Sequence, residues 1–520
     1  MINRLLTGRR SLVIICTILF LTFLDNTIVS VVLSNIQTNL SAGVQDLQWI
    51  VNAYMLVFAV LMLTGGTLGD LFGRKKILLS GVALFTIGSA VAMLSNSIGL
   101  LIGGRVIMGI GAAASEPGTL SMIRHLYPER GKRSRAIGVW AAVSGIALAF
   151  GPIIGGVIIG FTSWRGVFAF SAIFGIIAFI AGLLVLPESS DPKGRKLDLT
   201  GLVLGGMALS EAIFAVISAE NAGYHTWWIE MLLALSVITG IVFVFTEQRK
   251  NDPVLPLQFF KKIQFTIANI VAFVTNFGIF AVFFFVALYL QLIANFTGYQ
   301  IALSFIAMAV SIVAGALLAG RWSAKHQTLV LTIIGCLLSG GGIFVINMLI
   351  SPNVSSATLA WALSISGIGF GISLVTMTSS VLNIVPPERS GMAASTVNTF
   401  REVGGVFGVA VLGAIVNARL SSQLVGQLRT LNLPANFQSF VIYAITHGGN
   451  TPKGVSVSPA ILASHASLVN QVTLAADHAF GSGLTVALNL AGIMLVSTGA
   501  ACAVLYLWRK HDFSESQPVT

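Results

Sequence analysis

The chain has 520 residues, of which 55% are hydrophobic and only 9% charged, where a soluble domain carries about a quarter charged. That composition excludes an ordinary soluble enzyme. Apolar stretches recur from Ser11 almost to the C-terminus, each of the roughly 20 residues that a helix needs to cross a hydrocarbon layer. A formal net charge of +11 would suggest a nucleic-acid partner in a soluble chain, but here the basic residues follow membrane sidedness and no nucleic acid is expected.

In chain order, Arg4, Arg9 and Arg10 precede an apolar run that continues to Leu33 without a small-residue cleavage pattern, so it reads as a first membrane helix rather than a signal peptide. Polar breaks then predict helices near 11–33, 49–69, 77–95, 98–122, 136–160, 166–186, 199–218, 228–246, 265–290, 299–320, 328–350, 358–382, 391–419 and 482–508. With an even number of crossings both termini share a side. The loops on that side hold Arg74, Lys75, Lys76, Arg124, Arg130, Lys132, Arg133, Arg135 and most other basic residues, against Arg165, Arg419, Arg429 and Lys453 on the far side. The positive-inside rule therefore predicts cytoplasmic termini.

The chain also repeats itself. Gly109-Ile110-Gly111 precedes Pro128-Glu129-Arg130 at nearly the spacing by which Gly367-Ile368-Gly369 precedes Pro387-Glu388-Arg389. The simplest account is an N-terminal six-helix half (1–187), two inserted helices with their flanking loops (188–264) and a C-terminal six-helix half (265–520). Repeated halves place a substrate path at their interface. One outer segment, 421–481, exceeds every other loop and carries the apolar patch Phe440 to Tyr443; a hairpin lid, a docking surface and a loosely ordered loop are all open readings.

Asp25 is an acid within the first predicted helix. A carboxylate in hydrocarbon costs a few kcal/mol, so it faces a cavity, protonates, or is hydrogen-bonded between helices as a structural acid. Arg105 and Glu116 lie eleven residues apart on the fourth helix, which puts them on one face about 16 Å apart. The repeat-related position near Leu363 has no charge, so Arg105 is not demanded by the fold. It reads as a cavity-lining partner of a titrating acid, with a plain buried ion pair as the alternative. Glu116 is a second proton or cation site candidate. Glu211 and the Arg401-Glu402 pair are weaker candidates, the pair expected to neutralise itself near the inside surface. Phe277, Phe280, Phe284 and Tyr289 on the ninth helix are candidates for holding flat apolar ligands, or ordinary packing rings, and Asn398 joins them as a cavity candidate.

Two motifs read as conformational devices. In Gly151-Pro152-Ile153-Ile154-Gly155-Gly156 the glycine spacing lets another helix approach, and Pro152 removes a backbone donor. The stretch Gly66 to Lys75 combines glycines, among them Gly66 and Gly73, with Asp70 and Arg74, which together suit a latch that changes partners between states. Cys16, Cys336 and Cys502 sit singly in apolar runs, and His447, His465 and His478 lack ligand spacing, so neither a disulfide nor a metal site is expected. There is no phosphate-binding loop. No cofactor is expected.

Taken together these motifs resemble the major facilitator superfamily, specifically its fourteen-helix drug:proton antiporter branch of QacA- and EmrB-like exporters. Leu24 to Val29 resembles the branch's helix-one acid signature and Gly66 to Lys75 the superfamily loop motif. Leu101 to Gly109 resembles the helix-four coupling motif, Gly151-Pro152 with Gly155-Gly156 the exporter motif of helix five, and Trp164-Arg165 the start of helix six. The resemblance implies an all-α polytopic fold of fourteen membrane helices, a bacterial cytoplasmic (inner) membrane location, and no enzymatic activity. It implies export of hydrophobic or cationic drugs in exchange for protons, with Asp25 and Arg105 in the coupling roles and the proton gradient as driving force. It also implies, in an envelope with two membranes, a periplasmic adaptor and an outer-membrane channel as partners. Departures are Met108 for glutamine, Ala147 for the first helix-five glycine, Ser34 for a proline, and Val397 and Asn398 where some relatives carry acids. Export of an endogenous metabolite, lipid or siderophore, and a docking or assembly role through the outer segment, are the competing readings.

Overall fold

The computed structural model describes residues 2–42, 44–189, 198–223, 225–250, 253–255, 257–294, 296, 298–323, 328–351, 354–430 and 466–515. Its helices are α1 (Ile2–Leu40), α2 (Val44–Phe72), α3 (Arg74–Met93), α4 (Ile98–Leu126), α5 (Arg130–Phe161), α6 (Arg165–Val185), α7 (Leu199–Ala222) and α8 (Trp227–Arg249). They continue with α9 (Ile263–Phe280, then a π-helical turn Ala281–Val286 and Ala287–Leu292), α10 (Gly298–Trp322), α11 (Thr328–Leu349), α12 (Ser356–Ile384), α13 (Ser390–Thr430) and α14 (Ala466–Glu515). Among the described residues thirteen are long and apolar enough to cross a membrane, and α5, bent by 44° between Arg130–Leu148 and Ile153–Phe161, raises the number to as many as fourteen. Helices are the form a chain takes in lipid because each satisfies its own backbone groups. Where they emerge, side chains take over: Ser97 caps α4 by accepting from Leu100 N at 3.3 Å, Ser355 caps α12 by accepting from Thr358 N at 3.1 Å, and Asp198 caps α7 by accepting from Gly201 N at 2.8 Å.

The helices outrun their apolar windows. α13 continues to Thr430 and α14 already begins at Ala466, so residues 421–430 and 466–481 of the outer segment are helical. Breaks read from polarity mark where the chain leaves hydrocarbon, not where it stops being helical. The patch Phe440 to Tyr443, His447 and His465 lie outside the described residues.

Lipid supplies no hydrophobic drive between helices, so close packing through small residues must hold them. The repeated Gly-Ile-Gly triplets do this twice. A Cβ at Gly111 would strike Phe85 and Gly81 of α3, and one at Gly369 would strike Ser339 and Gly335 of α11. Gly109 faces the Tyr54 carbonyl of α2 as Gly367 faces the Met308 carbonyl of α10. Helices α1 to α6 thus pack among themselves, as do α9 to α14, and the two sets meet where α2 lies against α13 and α5 against α10. α7 and α8 pair with one another, and α7 leans on α2 and α13. α8 leaves Val237, Ile238, Ile241 and Phe245 exposed, the surface expected to meet lipid tails.

Candidate functional site

The first group of site residues lies within the α1 to α6 set. Arg105 of α4 forms an ion pair with Asp25 of α1, and both are 1% exposed. The arginine is fixed on a second side by α2, where its Nε donates to the Ile50 carbonyl at 2.9 Å and its guanidinium carbon stands 4.4 Å over the Tyr54 ring. Tyr54 in turn donates its hydroxyl to the Thr22 carbonyl of α1 at 3.3 Å. Met108, one turn on, offers its sulfur, a weak acceptor, at 3.9 Å from Arg105 Nη1. Asp25 Oδ1 is buried without a hydrogen-bond partner. The pair leaves the acid one oxygen short of satisfied.

A second group bridges the two sets of helices. Arg401 of α13 pairs with Glu116 of α4 and, at 3.1 Å, with its own neighbour Glu402. Its guanidinium lies 4.8 Å over the Phe23 ring of α1 and 5.7 Å over the Trp140 ring of α5. Trp140 is set by Thr119, whose hydroxyl accepts from the indole nitrogen at 2.9 Å and donates to the Glu116 carbonyl at 2.6 Å. The expectation that Arg401 and Glu402 neutralise each other near the inside surface is therefore corrected. Arg401 lies eleven residues into α13, about 16 Å along the axis, and Glu116 ten residues before the end of α4, about 15 Å, so the two meet deep in the bundle. Pro117 removes the backbone N–H that would bond the Ala113 carbonyl, loosening α4 beside the acid. One turn before Arg401, Asn398 is fully buried with neither amide atom paired.

The end of the bundle that carries the basic loops is closed by a latch. Asp70 accepts from Arg74 Nη2 at 2.9 Å, and its two oxygens accept from Gly391 N and Met392 N, each at 3.0 Å, at the start of α13. Carboxylates are favoured at a helix N-terminus. Arg74 also donates to the Pro387 carbonyl at 2.8 Å, Arg124 to the Leu382 and Val385 carbonyls, and Arg133 to Asn383. Gly66 permits this closure, since a Cβ there would fall on Gly391 and Ser395. Gly73 turns the chain at φ 110°, and Glu188 accepts from Lys75 N and Lys76 N just beyond it.

The remaining sequence candidates scatter. Gly151 and Gly155 seat α1, with Thr27 and Ile28 where their side chains would be, but nothing lies within 4 Å of a Cβ at Gly156, which therefore makes no helix contact. Pro152 falls next to the bend of α5 and removes a backbone donor there. On α9, Phe277 stacks on Phe273, and Phe280 covers Gly405 of α13. Phe284 is about half exposed, while Tyr289 stacks with Phe480 of α14. Glu211 is half-buried on the inserted α7 with Oε2 unpaired. No group of three or more His, Cys, Asp or Glu with the makings of a metal site occurs among the described residues. Tyr54, Phe23 and Trp140 were not anticipated; aromatic residues in apolar helices are too common to stand out before the arginines are seen over them.

Two packed sets of apolar helices, buried charge pairs within and between them and a polar latch at one end define a polytopic helical membrane protein. The sequence matches the Major Facilitator Superfamily over residues 15–409, and the chain belongs to that family. It is 30% identical over 494 residues to the multidrug resistance protein Stp of Mycobacterium tuberculosis, covering 94% of this chain and 90% of that protein. It is 28% identical over 499 residues to the tetracenomycin C resistance and export protein of Streptomyces glaucescens, covering 95% and 90%, and 27% identical over 484 residues to the multidrug efflux pump LfrA of Mycolicibacterium smegmatis, covering 93% of each. Among solved structures the fold is similar to the proton:xylose symporter XylE, with a TM-score of 0.59 at 15% identity over 85% of this chain and 94% of that one. The human organic anion transporter MFSD10 gives 0.58 at 14% identity, over 78% and 93%. The chain is a multi-pass membrane transporter of the superfamily, and its relatives include multidrug efflux pumps.

Proposed function

We propose that the protein exports hydrophobic or cationic small molecules from the cytoplasm or inner leaflet in exchange for protons, by alternating access. Asp25 carries the proton and Arg105 is the counter-charge that sets its affinity. The observation that carries this reading is the buried Asp25–Arg105 pair, in which one carboxylate oxygen has no partner. A neutral pair crosses the low-dielectric core at less cost than a lone charge, and protonating Asp25 releases Arg105 from it, so the protonation state is tied to how α1, α2 and α4 are held. With the basic end cytoplasmic, as the loop charges predict, the latch at Asp70 and Arg74 closes the inward path. A proton falling through this path supplies roughly 2.3 kcal/mol per 100 mV and about 1.4 kcal/mol per pH unit. The relatives named for multidrug resistance, efflux and antibiotic export support a small-molecule drug substrate. The test is ethidium flux in everted vesicles with an acid interior, for the wild type and Asp25→Asn. Dye uptake with proton release, lost in the variant, is the expected result. Uptake that survives the substitution removes Asp25 from the role, and silence across a panel of dyes favours export of an endogenous metabolite instead.

A further inference from the structure

The charge balance of the bridging group is uneven. One guanidinium, Arg401, serves two carboxylates, Glu116 and Glu402, all three at most 6% exposed. The other charged or titratable groups nearby are Asp25 of α1, Tyr54 of α2 and Arg105 of α4, with Tyr54 within electrostatic reach of Asp25, Arg105, Glu116 and Glu402. Asp25 and Arg105 cancel, and Tyr54 is a neutral phenol. One negative charge is left over in a site walled by Phe23 and Trp140, where an unbalanced ion costs several kcal/mol. Glu116 Oε2, Arg401 Nη1 and both amide atoms of Asn398 are buried there without hydrogen-bond partners. A site of this kind lacks one positive charge and leaves acceptors and donors alike unpaired.

We propose that the Glu116–Arg401–Glu402 triad is a second proton-exchange site, separate from Asp25, and that its proton operates the lock between the two sets of helices. The inference rests on the proton-coupled reading above and adds a second proton to the cycle. A proton that binds Glu116 forms a carboxyl O–H and neutralises that acid. Arg401 then pairs with Glu402 alone, on its own helix, and the contact of α13 with α4, α1 and α5 is released. When the proton leaves to the opposite compartment, the carboxylate recaptures the guanidinium and the sets close again. Arg401 is suited to this because its two acids sit on different sides of the interface: Glu402 moves with it and Glu116 does not.

Two measurements test it on the purified full-length protein. The first needs no substrate: infrared difference spectra between acid and alkaline pH count the carboxyl groups that change protonation. Asp25→Asn is expected to remove one carboxyl signal, and Glu116→Gln and Glu402→Gln each to remove or displace a different one. Spectra of both triad variants that match the wild type overturn the proposal. The second uses ethidium in proteoliposomes. Two protons exchanged for one monovalent cation move one net charge, so an imposed potential of about 100 mV shifts the steady-state gradient about 50-fold, the equivalent of one charge crossing. Glu402→Gln, or Glu116→Gln if the first does not fold, is expected to abolish that potential dependence. Wild-type exchange that is lost in Asp25→Asn yet insensitive to potential overturns the second site while leaving the Asp25 reading intact. Failure of exchange altogether counts against the antiport reading, and the infrared count then decides the triad by itself.

Discussion

Arg401 of α13 and Glu116 of α4 form an ion pair between the two sets of helices, 285 positions apart in sequence and both fully enclosed. Such a pair contributes little net stability against an apolar replacement, but removing one partner strands the other. Arg401→Ala leaves two carboxylates facing each other, with an expected loss of about 3–5 kcal/mol. Adding Glu116→Gln and Glu402→Gln to it is expected to recover a large part. Thermal unfolding of the wild type, Arg401→Ala, the Glu116→Gln Glu402→Gln variant and the triple variant closes that cycle, and additive losses would show that Arg401 does not interact with the two acids.

Arg105 is held by a fork of contacts rather than by charge alone. Arg105→Lys keeps the cation but cannot serve Asp25, the Ile50 carbonyl and the Tyr54 face together. A charge-assisted hydrogen bond is worth about 1.5–3 kcal/mol, so proton-driven uptake is expected to fall about ten- to hundred-fold while the protein stays folded. Vesicle flux with matched expression checks it; wild-type rates in the lysine variant would mean that charge suffices.

Asp70 joins Arg74 to the first residues of α13. Ser121 and Ser390, whose hydroxyls are 2.9 Å apart, report on the same closure. Cysteines at both positions are expected to cross-link readily and arrest transport, and adding Asp70→Ala is expected to slow cross-linking several-fold. An unchanged rate would show that the latch is held by Arg124 and Arg133 instead.

The two glycines of the α5 motif separate cleanly. Gly151→Ala places a methyl on Thr27, where overpacking costs about 1–3 kcal/mol, whereas Gly156→Ala enters open space. Detergent-solubilised melting temperatures are expected to fall for the first and hold for the second. Equal losses at both sites would point to backbone flexibility rather than packing.

Outside the membrane, burial pushes the Asp198 carboxyl up, but hydrogen bonds from Lys250 and Gly201 N outweigh it and hold the group below its usual range. Its stabilisation is thus present at neutral pH and lost as the pH falls below the ordinary value of 3.8. Asp198→Ala, which removes the cap of α7, is expected to cost about 1 kcal/mol at pH 7. The deficit is expected to shrink at pH 3. A deficit independent of pH would mean that the charge plays no part.

Composition and apolar run length alone determined that this is a helical membrane protein and where its apolar spans lie, because a single apolar span in lipid satisfies its own backbone groups as a helix. Asp25, Arg105 and Glu116 stood out for the same reason, since a charge in hydrocarbon is costly enough to be conspicuous in one dimension. Partners were not legible. Arg401 reads as a companion of the adjacent Glu402, and only the packing of α13 against α4 reveals that it serves Glu116 at the same depth. Tyr54, Phe23 and Trp140 gain their roles only when the arginines are laid over their rings, and Gly156 loses its role only when nothing is found beside it. Each of these depends on which helix faces which across the interface, and that is decided by the close approach of α2 to α13 and of α5 to α10, contacts between residues hundreds of positions apart that no local pattern records.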